Sequence, residues 1–268
     1  MVTALEQKSF QSKKTNLFII LSGLFLTNAI LAEIIGVKIF SGEMTLGIEP
    51  VGWKIFGDYV LDFNLTAGAV IWPVVFIASD IINEYFGIKG VRKISFITAF
   101  FIAYIFLVIS VVTVLPPAAF WLEVNTPDAN GNPFNIHNAF NMIFRQGLGI
   151  IIGSLTAFLL GQLIDVYVFQ KLRKITGPKM IWLRATGSTL VSQLIDSFVV
   201  LGIAFFVFGN WSWAQVASVA IINYVYKFTV AILLTPLLYL GHYLIDRYLG
   251  KDVAEKMTHE ASSNTSFL

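Results

Sequence analysis

Six apolar stretches, each close to the ~20 residues a helix needs to cross a hydrocarbon core, govern what this chain can fold into. They lie at about residues 17–40, 65–82, 94–115, 141–168, 185–208 and 214–239. The chain is correspondingly short of charge. Only 13% of its 268 residues are Asp, Glu, Lys or Arg, against the ~25% of an ordinary soluble domain. Lipid must therefore cover much of its outside. The expected fold class is all-α: a polytopic membrane protein with six transmembrane helices in one bundle. The fourth stretch exceeds the core thickness and is expected to tilt or to project into water. A net charge of +2 gives no footing for nucleic acid. The absence of cysteine removes disulfides and thiolate metal sites. The first apolar run follows Lys8, Lys13 and Lys14. It is too long for a signal-peptide core and lacks a small-x-small cleavage site, so it reads as a retained helix.

The breaks between stretches carry turn chemistry. Residues 41–64 hold Gly42, Gly47, Pro50, Gly52 and Gly57 with some apolar alternation, which allows a short hairpin. Residues 116–138 hold Pro117, Pro127, Asn130, Gly131 and Pro133 and read as a loop. Gly177-Pro178 ends the fourth helix, and Thr235-Pro236 is expected to kink the sixth, freeing a carbonyl one turn earlier. From Lys251 the chain is polar and expected to fray. The domain plan is a cytoplasmic segment over residues 1–16, a six-helix transmembrane domain over 17–249 and a cytoplasmic tail over 250–268. Both termini are assigned to the cytoplasm because fourteen of the 18 basic residues then share that side. They are Lys8, Lys13 and Lys14; Lys89, Arg92 and Lys93; Lys171, Arg173, Lys174, Lys179 and Arg184; and Arg247, Lys251 and Lys256. Trp53, Trp121, Trp211 and Trp213 fall on the other side, as an interfacial belt requires.

Polar residues inside these stretches are the candidates for function, because an ionisable side chain at mid-membrane costs at least ~2.5 kcal/mol. Asp80, Asn83 and Glu84 share one face by i, i+3 and i+4 spacing. Glu84, close to Lys89, reads as a solvated helix end. Asp80 lies deeper and reads either as half of a structural ion pair or as part of a site. Asp196 lies twelve residues beyond Arg184, or ~18 Å along a helix, near the midplane. Gln193, Ser192 and Thr189 extend its polar face. Asn223 and Lys227 are an i, i+4 pair at similar depth in the sixth stretch. Asp196 and Lys227 read in two ways, as one buried ion pair or as part of a solute site, and both readings can hold together. Gln162 and Asp165 lie nearer the cytoplasm, and Arg145 and Gln146 stand at the outer start of the fourth helix. The candidate substrate-binding set is therefore Asp80, Asn83, Gln162, Asp165, Gln193, Asp196, Asn223 and Lys227.

Other patterns bear on packing and class. Gly149, Gly153, Ala157 and Gly161 form an i, i+4 stripe that lets a neighbouring helix approach closely. Gln162-Leu163-Ile164-Asp165 recurs as Gln193-Leu194-Ile195-Asp196, and sites in transporters often form at repeat interfaces. His137, His242 and His259 lack metal-ligand spacing, and no HExxH, GxSxG or phosphate-binding loop is present. The reading is a carrier and not an enzyme, with no cofactor, no metal site and no ATPase of its own.

Five segments carry a resemblance. SDIINEYFG at residues 79–87, QLIDVYVFQKLRK at 162–174, STLVSQLIDS at 188–197, Tyr226-Lys227-Phe228 and LLTPL at 233–237 resemble the queuosine precursor transporter family, also called the vitamin uptake transporter family. The resemblance implies uptake of a 7-deazaguanine, the 7-cyano or 7-aminomethyl form, across the bacterial inner membrane. The alternative is the substrate-binding membrane subunit of an ATP-driven vitamin importer, which would share the spans and the missing nucleotide motif. Expected partners are the deazapurine solute and membrane lipid, with a homo-oligomer left open. The residues suit such a solute: a carboxylate accepts the paired N–H and NH₂ of a guanine edge, amides serve its carbonyl and ring nitrogens, and aromatic rings stack on its face.

Overall fold

The computed structural model describes residues 4–54, 60–128, 130–145, 148–177 and 180–263. The chain opens with α1 (Ala4–Ile35). A short insert follows, as two antiparallel strand pairs. β1 (Ile39–Ser41) pairs with β4 (Asn64–Thr66), and inside them β2 (Trp53–Lys54) pairs with β3 (Val60–Leu61). The hairpin expected from the glycine pattern is therefore present, with α2 (Gly42–Thr45) set into it. Ser41 caps α2 through Met44 N–H at 3.1 Å, and the buried Glu43 carboxylate accepts from the Phe63 N–H at 2.7 Å.

The membrane domain consists of α3 (Trp72–Val112), α6 (Leu148–Thr176), α7 (Ile181–Leu201) with a π-helical extension through Val207, and α8 (Trp213–Leu233), together with α1. The loop expected over residues 116–138 carries α4 (Ala119–Val124) and the start of α5 (Ile136–Phe144). α9 (Thr235–Leu249) and α10 (Lys251–Ser263) complete the chain. Among the described residues, five helical stretches are long and apolar enough to cross a membrane. The count differs from the expected six because the second and third expected spans lie in the single helical segment α3. That segment is broken only at Gly87, at φ 66° and ψ −167°. Positive φ favours glycine, and a Cβ there would also lie 2.9 Å from the Ala261 carbonyl of α10.

Contacts fix the relative directions of the helices. Ala32 lies against Gly68, just before α3, and Phe18 packs on Phe86 at 4.9 Å, so α1 runs antiparallel to the first half of α3. Ser79 bonds Gln162, Asn83 bonds Gln170 and Glu84 bonds Arg173, so α6 runs parallel to that half. Gly161 faces Asp196 and Gly149 faces Phe208, so α7 returns antiparallel. Lys227 bonds Asp196, and Trp213 packs on Phe206, so α8 reverses again. α9 then runs parallel to the first half of α3, with Gly241 against Ile81 and Asp246 against Tyr85. Between α8 and α9 the helix is interrupted at one residue, Leu234, whose backbone stays in the right-handed helical region, where the sequence places a kink. Pro236 sits in the first turn of α9, where its missing N–H leaves no internal bond unmade.

The tail expected to fray is a packed helix. Ala254, Met257 and Ala261 of α10 are buried, and Arg173 of α6 donates to the Thr258 carbonyl at 2.6 Å. The buried stripe Leu17, Leu21, Phe25 and Ala29 of α1 joins Val75, Ala78 and Ile82 of α3 and Val166 and Phe169 of α6 in one core. Large apolar side chains such as Ile19, Phe100 and Leu107 face outward, as lipid contact requires.

The small-residue stripe of α6 faces α7 and its π-helical extension. A Cβ on Gly153 would meet the Val200 carbonyl at 3.0 Å, and one on Gly149 would meet Phe208 Cβ at 2.4 Å. Gly153→Leu is therefore expected to overpack the α6–α7 contact and cost about 1–3 kcal/mol. Thermal unfolding of the purified protein in detergent measures it; an unchanged midpoint would contradict the contact.

Candidate functional site

A buried polar layer lies where α3, α6 and α7 meet. Glu84, read from sequence as a solvated helix end, is instead buried. Its Oε1 accepts from Arg184 at 2.8 Å and from Arg173 at 3.2 Å, and Arg173 also donates to the Glu84 carbonyl at 3.0 Å. Arg184, only 1% exposed, donates onward to the Gly177 carbonyl at 2.6 Å and lies over the Phe169 ring at 5.7 Å. These arginines are part of the positive-inside count, yet they act as buried counter-ions. The sequence missed them because spacing in one helix does not reveal a partner on another.

Beside this cluster, two rungs join α3 to α6. Ser79 donates to Gln162 at 3.0 Å, and Gln170 donates to the Asn83 side-chain oxygen at 2.6 Å. Asp80 and Asp165 lie between these rungs, both buried. Asp165 accepts from the Ser192 hydroxyl of α7 at 3.2 Å. Among the described residues, Asp80 Oδ1 has no hydrogen-bond partner. Its carboxyl group opens on a cavity of about 30 Å³ lined by Phe76, Thr186, Thr189, Thr235 and Leu238 among others.

On the other side of Phe76 is a second, smaller space of about 10 Å³, lined by Trp72, Phe76, Phe158, Gly161, Gln162, Gln193 and Asp196. Trp72 and Phe76 stack at 5.8 Å with planes 21° apart, and Trp72 meets Phe158 at 6.1 Å. Three rings thus face two amides and a carboxylate. Gln193 Oε1 is buried without a hydrogen-bond partner. This is the chemistry that a flat, polar ring demands: π-faces for its plane and acceptors for its N–H edge. Both spaces hold water at most, so neither takes up a solute in this conformation.

Asp196 forms an ion pair with Lys227, the two side chains being 20% and 17% exposed. Glu33 of α1 accepts a hydrogen bond from Ser154 of α6 and lies within electrostatic reach of that pair. The structure thus brings Gln162, Gln193 and Asp196 together in one space, with Lys227 as the counter-ion of Asp196. It sets Asp80 and Asp165 beside that space and Asn83 on the rung below. Asn223 is not drawn in: its amide donates to the Val219 carbonyl of its own helix at 3.0 Å. Gln146 lies outside the described residues. The rings of Trp72, Phe76 and Phe158 were missed because aromatic residues fill every apolar stretch of this chain. Glu33 was legible, as a carboxylate inside the first apolar run.

A polar site walled by aromatic rings, inside a bundle of lipid-facing helices, is the architecture of a solute transporter. Comparison with known proteins agrees. The family described as putative vitamin uptake transporter matches residues 66–241, and the chain belongs to it; it is a transporter and not an enzyme. A probable queuosine precursor transporter of Bacillus subtilis (strain 168) is 30% identical over 186 residues, covering 68% of this chain and 75% of that one. A probable queuosine precursor transporter of Haemophilus influenzae is 30% identical over 197 residues, covering 72% of each. The queuosine precursor transporter of Escherichia coli K12 is 28% identical over 180 residues, covering 65% of this chain and 70% of that one. No solved structure matches. The chain is thus a multi-pass bacterial membrane protein.

Proposed function

We propose that the protein imports a queuosine precursor, 7-cyano- or 7-aminomethyl-7-deazaguanine, through six spans with both termini in the cytoplasm. The observation that carries the solute assignment is the ring-and-amide space. Trp72, Phe76 and Phe158 offer faces to a fused bicyclic ring, while Gln162, Gln193 and Asp196 offer acceptors and donors to its edge. A carboxylate takes the adjacent N–H and NH₂ of a guanine edge in bidentate fashion. The names of the three relatives point to the same solute class.

Six spans are supported by the helix directions. The first half of α3 and α6 run parallel, so the chain crosses the membrane once between them. Ile88 to Val112, the second half of α3, is the long apolar segment available for that return. α8 and α9 point the same way and together make the last crossing. Reporter fusions after Asn64 and after Asn130 are expected to read as extracytoplasmic; a cytoplasmic signal from either would contradict the topology. Purified protein in lipid vesicles is expected to raise uptake of labelled 7-deazaguanine above that of protein-free vesicles, and equal uptake would count against the solute.

A further inference from the structure

The central cluster holds one more carboxyl group than guanidinium groups. Three carboxylates meet there, Glu84, Asp80 and Asp165, against two guanidiniums, Arg173 and Arg184. Glu84 takes both arginines at its own carboxylate. Asp165 has a serine hydroxyl at 3.2 Å. Asp80, 6% exposed, lines the cavity beside Phe76, and its Oδ1 has no hydrogen-bond partner among the described residues. Asp165, Glu84 and Arg184 are the charges within its electrostatic reach. The neighbouring charges are engaged elsewhere. On α9, Asp246 accepts from Tyr85 at 2.7 Å, with His242 on the same hydroxyl. Lys227 of α8 is held by Asp196, and Glu33 of α1 is bonded by Ser154. A buried carboxyl oxygen left without a donor is costly, and a cationic donor satisfies it best.

We infer that this partner is the solute: the site takes a ring bearing a protonated amine, with the ring among Trp72, Phe76 and Phe158 and the ammonium at Asp80 and Asp165. Phe76 lies one helical turn before Asp80 and lines both spaces. A solute that displaces this shared side chain would meet the aromatic rings with its plane and Asp80 with its amine. Between the two queuosine precursors this selects the aminomethyl form, whose amine is cationic at neutral pH, over the cyano form, which has the same ring and no charge. The inference rests on the reading of the solute class given above.

The test uses the purified full-length protein in lipid vesicles, with uptake of each labelled precursor measured against each unlabelled one as competitor. The aminomethyl form is expected to compete at a concentration on the order of tenfold lower than the cyano form, since charge-assisted hydrogen bonds are about twice as strong as neutral ones. Asp80→Asn is expected to bring the two half-inhibitory concentrations together, and Asp165→Asn serves if the first variant is not recovered folded. Equal competition in the unaltered protein, or a preference for the cyano form, overturns the charge assignment and leaves the solute class standing. An unchanged preference in the recovered variant also overturns it. Uptake of neither compound by folded protein overturns the solute class and this inference with it.

Discussion

Glu84→Gln is expected to destabilise the protein by about 3–5 kcal/mol, the cost of leaving buried charge unpaired. Two guanidiniums converge on this one carboxylate, at 2.8 and 3.2 Å. Each has a further backbone acceptor, the Gly177 carbonyl for Arg184 and the Thr258 carbonyl for Arg173, but a carbonyl carries no compensating charge. The change should also loosen α10, because Arg173 is the link between the cluster and that helix. Thermal unfolding in detergent, together with protease sensitivity of residues 251–263, reads both effects. Exchanging Glu84 and Arg184 together for apolar residues of similar volume should recover part of the loss. A Glu84→Gln protein as stable as the parent would show that the arginines find their compensation elsewhere.

Asp196→Asn is expected to reduce uptake by about 10- to 100-fold, the effect of losing a charged hydrogen bond worth ~1.5–3 kcal/mol. It should leave most of the folded yield. The ion pair with Lys227 is about one-fifth exposed at both side chains, so breaking it leaves neither charge fully desolvated. A purely structural pair behaves differently. Its single neutralisation would lower yield, and a double exchange of Asp196 and Lys227 for apolar residues would restore both yield and uptake. Restored uptake in the double variant would remove this pair from the solute site and leave Asp80 and Gln193 as the better candidates.

The sequence disclosed the membrane domain and most of its inner polar face, because the cost of placing a polar group in hydrocarbon marks such residues wherever they occur. Asp80, Gln162, Gln193 and Asp196 were found in that way, and the structure gathers them around Phe76. The small-residue stripe of α6 was legible for a similar reason, since only close helix approach rewards four small residues at i, i+4. Less was legible where partners lie on different helices. Glu84 looked solvated because its nearest charge in sequence was Lys89, whereas its partners lie 89 and 100 residues away. The tail beyond Lys251 looked frayed because its composition is polar. Its burial depends on Ala254, Met257 and Ala261 falling on one face. Composition shows a gap from 83 to 93 between the second and third stretches, and it did not reveal that both lie in one helical segment interrupted only at Gly87.

The most direct measurement is queuosine in the tRNA of bacteria that can neither make the precursor nor import it with their own carrier. Expression of this protein in such cells, supplied with micromolar 7-aminomethyl-7-deazaguanine, is expected to restore queuosine to the tRNA, and Asp196→Asn is expected to restore far less at equal membrane abundance. No queuosine in cells that hold the folded protein in the membrane would contradict the account.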